Sequence, residues 1–269
     1  MTLCITAMAL VVTVAAAARS TWSPCGLSMM STITPISERA KGHSYVATSL
    51  WFVVGATVGG MTLGCAMALG AEGVHILQLS QSSLGLLALG AVLISMGADL
   101  GVGGLNLPIH RRQVNERWLD HYRAWVYGSG FGWQIGTGLA TYITTAAVYL
   151  MIVLGALSAD PMVALALGAG FGLLRGLAVF LTHRIASTTE LLAFHRRFAD
   201  AGPAGDKAVL GVEAGGAALL AVILWSPAVL ALVGCAAGAA GAATIIAKRR
   251  VPAGSPGDSA ERDYSVNSI

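Results

Sequence analysis

Residues 44–108 contain no lysine or arginine, and neither do residues 124–174 or 208–247. About 20 apolar residues suffice to cross the hydrocarbon core of a bilayer. Each of these stretches is too long for one crossing, so each must fold back on itself. Only 11% of all residues are charged, against about 25% in a soluble domain, and a water-facing surface would lack the charge it needs. The sequence therefore predicts an all-α polytopic bundle of transmembrane helices, about seven spans in residues 1–247, and not a soluble enzyme. Weak polar clusters mark the turns: 71–82 with Glu72 and His75, 158–161 with Asp160, and 226–227. They place spans near 45–69, 82–101, 126–156, 161–182, 208–225 and 228–247. The tail 251–269, rich in Gly, Pro, Ser and Asp, is expected to be disordered and cytoplasmic.

The first apolar segment is less regular. Arg19 interrupts it, and Pro24 and Pro35 fall inside it. One straight helix over residues 3–36 would measure about 50 Å, so a broken or re-entrant element is expected. A signal peptide over 3–18 is the rival reading. The lack of a basic residue before the apolar run weighs against it.

Charge placement sets the expected orientation. The basic residues cluster in four regions: Arg39 and Lys41; Arg111, Arg112, Arg117 and Arg123; Arg184, Arg196, Arg197 and Lys207; and Lys248, Arg249, Arg250 and Arg262. The connections between these regions hold none. That alternation is the positive-inside pattern. It puts the N-terminus outside the cell membrane and the C-terminus in the cytoplasm, and it makes the net charge of +3 a topology signal rather than a nucleic-acid footprint. In 111–125, Val114, Trp118, Tyr122 and Trp125 share one helical face, which suits a helix lying on the membrane surface. Leu191, Phe194 and Phe198 suggest a second, shorter one over 190–198.

The halves 1–101 and 126–225 resemble each other weakly. Ser31-Thr32-Ile33-Thr34 matches Thr141-Tyr142-Ile143-Thr144, and Gly26 falls on Gly136 at the same offset. Gly55-Ala56 and Gly59 fall on Gly168-Ala169 and Gly172. Three spans per half reverse the orientation, so the repeat would be inverted, with 228–247 as an added span. Transporters with such repeats place their sites near the midplane, where helices break.

The densest polar stretch lies at such a break. Ser20, Thr21, Ser23, Ser28, Ser31, Thr32 and Thr34 surround Pro24-Cys25-Gly26 and Pro35. Proline frees a backbone carbonyl, which Ser and Thr hydroxyls can satisfy in lipid. A thiol at a helix break is a candidate site; a plain kink relieved by hydroxyls is the alternative. The other cysteines, Cys4, Cys65 and Cys235, read as small packing residues. No Cys-x-x-Cys or zinc-spaced His/Cys set occurs. The depths of Cys25 and Cys65 along straight helices differ by more than a disulfide spans.

Ser23-Pro24-Cys25, followed by Pro35, a short basic loop and a Gly-rich second span, resembles the CcdA/DsbD family of membrane thiol-redox proteins over about residues 1–225. The family's methylamine-utilisation, MauF-like branch is the alternative likeness. The first implies that electrons pass from cytoplasmic thioredoxin to extracytoplasmic acceptors through two cysteines, one in the first span and one in the fourth. Cys25 matches the first. The second position is Ile135, so the dithiol lacks one member. The MauF-like branch implies a membrane assembly factor without turnover of its own. Neither implies a cofactor. The partners to expect are the lipid bilayer and a thioredoxin-like protein or a small solute.

Arg175 sits mid-span, and an ionisable group there is a functional candidate whose partner must be named. Glu213 and Asp99 are the acidic candidates. Gln134 and Trp133 face the equivalent break in the fourth span and are expected to line one cavity with Cys25, Pro24, Gly26 and Arg175. Broken spans and Arg175 also fit a transporter of a small solute or metal ion. Met29, Met30 and Met61 would suit copper(I), although packing is the ordinary role of methionine here. No phosphate loop or nucleophile elbow occurs.

Overall fold

The computed structural model describes residues 1–102, 123–139, 141–224 and 234. Their regular elements are helices: α1 (Thr2–Ser20), α2 (Pro24–Thr32), α3 (Pro35–Ala40), α4 (Tyr45–Ile76), α5 (Gln81–Asp99), α6 (Ala124–Gly136), α7 (Ala147–Leu157), α8 (Pro161–Leu177) and α9 (Thr188–Leu224). A 3-10 turn, Ala178–Thr182, prolongs α8. Helices α1, α4, α5, α8 with its prolongation, and α9 are each long and apolar enough to cross a membrane.

Helix α4 is the axis of the bundle, and glycine makes it so. Gly55 and Gly59 face α6, where an added Cβ would collide with the backbone of Ser129 or Trp133. Gly60 and Gly64, also one turn apart, face α8 and meet the backbones of Gly168, Gly172 and Leu165. The partners answer in kind. Gly128, Gly132 and Gly136 of α6 approach Thr48, Phe52 and Ala56, while Gly168, Gly172 and Gly176 of α8 approach α4 from the other side. Lipid supplies no hydrophobic drive for helix association, so backbone proximity and dispersion must do it, and small residues at four-residue spacing permit that. The pairings also fix direction. Contacts rise together along α4 and α6, which are parallel, and run oppositely along α4 and α8, which are antiparallel.

The remaining helices set two levels. Thr2 and Leu3 of α1 share a cavity wall with Val74 and His75 of α4. Eighteen residues further on, at about 1.5 Å per residue, α1 ends roughly halfway along α4. Helix α5 starts beside the same end of α4 and stops at Asp99 after a similar distance. The fourth apolar stretch is interrupted: α6 ends at Gly136 and α7 resumes at Ala147, and the described residues between them, 137–139 and 141–146, form no helix. Both interruptions, 21–23 and 137–146, therefore lie near the middle of α4. They divide the interior into two hydrophobic clusters. One contains Ile5, Met67, Leu89, Leu154 and Leu220; the other contains Cys25, Met29, Phe52, Phe131, Ile135 and Val179.

Several boundaries differ from the sequence expectation. Helix α4 runs on to Ile76 because Glu72 and His75 sit on its last turns without stopping it. The span expected at 208–225 and the surface helix expected at 190–198 are one 37-residue helix, α9, which passes through Pro203. Its first third is anchored by Trp22, whose Nε1–H donates to the Phe198 carbonyl at 2.6 Å and whose ring stacks on Phe198 at 4.6 Å. Trp125, expected on a surface helix, opens α6 and sits 6.1 Å from Trp51, both rings exposed as in an interfacial aromatic belt. Most of that surface helix, the span at 228–247 with Cys235, and the tail 251–269 lie outside the described residues.

Substituting Gly60→Ala forces a methyl group against the α8 backbone, and overpacking of this kind costs about 1–3 kcal/mol. Gly90→Ala on α5, where a Cβ meets nothing within 4 Å, should be neutral or stabilising by up to about 1 kcal/mol. Thermal unfolding of the two variants in detergent separates these outcomes.

Candidate functional site

The local sequence dictates the first break. Ser23 is the N-cap of α2, its hydroxyl accepting from the Gly26 N–H at 3.2 Å, and Pro24 fills the first helical position, where its missing N–H is harmless. Gly26 is required because a Cβ there would collide with the Thr21 carbonyl at the end of α1. Thr21, Ser31 and Thr32 donate to carbonyls one turn back, those of Ala17, Leu27 and Ser28. The hydroxyls thus relieve the break, as the plain-kink reading expects. Pro35 begins α3 in the same way, capped by Thr34.

Cys25 lies in the first turn of α2. It is 2% exposed and packs with Met29, Met30, Ile33, Phe52, Phe131, Ile135 and Val179. Protein, not lipid or an open cavity, surrounds it. The thiol is within electrostatic reach of the Arg175 guanidinium, which is itself 3% exposed. Arg175 Nη1 donates to the Ile135 carbonyl at 2.6 Å and more weakly to the Thr141 hydroxyl at 3.4 Å, and its Cζ lies 5.5 Å from the Phe171 ring centroid. The Ile135 carbonyl is one of the last of α6, so the cation satisfies an orphan group at a helix end where the helix dipole favours it. The structure therefore joins Cys25, Ile135 and Arg175, and places Pro24 and Gly26 beside them.

The structure does not join the other expected members to this group. The Gln134 side chain makes no hydrogen bond among the described residues, and Trp133 is 43% exposed. Met61 is also exposed, so it does not converge with Met29 and Met30. No disulfide joins the described cysteines.

Neither acidic candidate pairs with Arg175. Asp99 accepts from the Thr145 hydroxyl at 2.5 Å and the Ala146 N–H at 2.6 Å. It caps α7 from another helix and so holds the second break. Glu213 accepts from Ser95 at 2.6 Å. The reason is register: Asp99 is taken up at the start of α7, and Glu213 faces Ser95 across the α5–α9 contact.

One cluster was not anticipated. Glu38 of α3 is fully buried and accepts from Tyr127 at 2.5 Å and Thr48 at 2.7 Å, with Lys41 Nζ at 3.6 Å and His43 Nδ1 at 3.8 Å. It ties the 33–44 connection to α4 and α6. A basic-looking loop hid it, since only the fold brings Tyr127 to it.

Apolar spanning helices, two interrupted segments and a buried arginine between them define a polytopic helical membrane protein. No protein-family model and no solved structure matches the chain. Curated relatives do. The chain is 31% identical over 205 residues to the methylamine utilization protein MauF of Methylorubrum extorquens, covering 75% of this chain and 70% of that one. It is 30% identical to MauF of Paracoccus versutus, covering 76% and 74%, and 28% identical to that of Methylophilus methylotrophus, covering 60% and 56%. The chain belongs to the MauF family. This bears out the MauF-like branch of the expected resemblance, and it does not extend to thiol-redox function.

Two outcomes follow from this geometry. Tyr127→Phe removes a donor from a buried carboxylate and should destabilise the protein by about 1.5–3 kcal/mol, measured by denaturant unfolding. Cys25 should resist maleimide labelling in the folded protein and label fully once it is unfolded.

Proposed function

We propose that this chain is a membrane assembly factor without turnover of its own, serving methylamine utilisation, the process that its relatives' name gives. The observation that carries this is the likeness to MauF across three quarters of the chain, joined to a fold in which Arg175 and Asp99 are engaged in closing helix breaks. Thiol exchange is the weaker reading. Cys25 beside Arg175 favours it, but Ile135 stands where the second thiol would be, and Cys25 is sealed. A thioredoxin-like partner therefore belongs to that weaker reading.

The architecture is read as an inverted three-plus-three repeat. In its favour, Ser31-Thr32-Ile33-Thr34 ends α2 and Thr141-Tyr142-Ile143-Thr144 lies in the second interruption. The Tyr45 end of α4 is read as cytoplasmic, since Arg39, Lys41, Arg123 and Arg184 lie in connections at that end.

Expression of this chain in a methylotroph lacking its own MauF tests the proposal. Restored growth on methylamine, retained in Cys25→Ser, is expected. Membrane-inserted protein that fails to restore growth would refute the reading. Growth restored by the natural chain but not by Cys25→Ser would favour thiol exchange.

A further inference from the structure

Helices α5 and α9 are antiparallel and carry a ladder of carboxylates that the Cys25–Arg175 region does not use. On α5, Ser95 and Asp99 are one turn apart. On α9, Asp206, Val209, Leu210 and Glu213 follow the spacing of a single helical face. A cavity of about 70 Å³ lies between them, lined by Asp99, Thr144, Thr145, Asp206, Val209 and Leu210. That volume matches about two water molecules. Asp206 is ion-paired with Arg19 of α1.

Two buried atoms in this region lack a hydrogen-bond partner among the described residues: Thr144 Oγ1, whose residue lines the cavity, and Glu213 Oε2, one helical turn along α9 from the lining residues Val209 and Leu210. Glu213 is 1% exposed. Its other oxygen is taken by Ser95, and no cation lies within ion-pair distance of it among the described residues. A buried carboxylate with an empty oxygen and no counter-charge is costly to keep ionised. Groups that face it are few. Asp99 acts on it directly, while Arg19 and Asp206 act on Asp99. Met8 of α1, beside Gly216, is apolar.

We propose that Glu213 is a proton-binding site inside the membrane, exchanging its proton with water in the Asp99–Asp206 cavity one helical turn away on the same face of α9. The proton comes from water in the cavity and forms an O–H bond at Glu213 Oε2. On release it returns to that water, and no other bond changes. Asp99 also caps α7, so the occupancy of Glu213 is felt, through the charge it presents to Asp99, at the second break. This inference stands apart from the methylamine reading, since it rests on the α5–α9 contact alone.

Infrared difference spectra of the full-length protein in lipid, between acid and alkaline pH, test it. A protonated-carboxyl C=O band that disappears on alkalinisation is expected. It should be absent in Glu213→Gln and present in Asp206→Asn. The same band in natural protein and Glu213→Gln would overturn the proposal, as would its loss in Asp99→Asn alone. A spectrum that responds to sodium rather than to pH, compared with potassium, would overturn it in favour of a metal-cation site. If Glu213→Gln does not fold, Glu213→Asp keeps a carboxyl on a shorter stem and must shift the band; an unshifted band there is equally fatal.

Discussion

Everything in this bundle depends on how closely α4 can approach α6 and α8. In water, large apolar side chains would supply the drive to associate. In lipid, dispersion between closely apposed backbones must replace it. Gly55 and Gly59 on one side of α4, and Gly60 and Gly64 on the other, let two helices touch it at once. Because the contacts are backbone to backbone, they leave little freedom of register. That register delivers the Ile135 carbonyl to Arg175 and the Glu38 carboxylate to Tyr127.

The interruptions are stable for a related reason. An unpaired backbone group in a membrane interior costs several kcal/mol, so each break must be answered by a polar group from elsewhere. Arg175 answers the end of α6, Asp99 answers the start of α7, and Ser23 answers the start of α2. Arg175 and Asp99, which look functional by their charge, are thus engaged in closing the backbone.

Much of this was legible beforehand. The apolar runs disclosed the helices, and Ser23-Pro24 with Gly26 disclosed the first break, because capping and proline geometry are local. Arg175 was recognisable as buried, but its partner was not. An acidic counter-ion is the natural guess from sequence, and the actual acceptor is a main-chain carbonyl, to which composition is blind. The Glu38–Tyr127 contact spans 89 positions and depends on the α4–α6 register. The sequence expectation divides helix α9, because the stretch without lysine or arginine begins only after Lys207, while Pro203 lies inside the helix. Proline is tolerated there, and the Trp22–Phe198 stack and the Arg19–Asp206 pair hold both sides of it.

The unbroken length of α9 has a mechanical consequence. At about 55 Å it is longer than the roughly 30 Å hydrocarbon thickness, and it touches both interior clusters, through Phe194 and Phe198 at one level and Val209 to Ala221 at the other. The α1–α2 and α6–α7 pairs are jointed at mid-depth, whereas α9 is a splint across the same plane. One layer cannot swivel against the other without levering this rod as a whole.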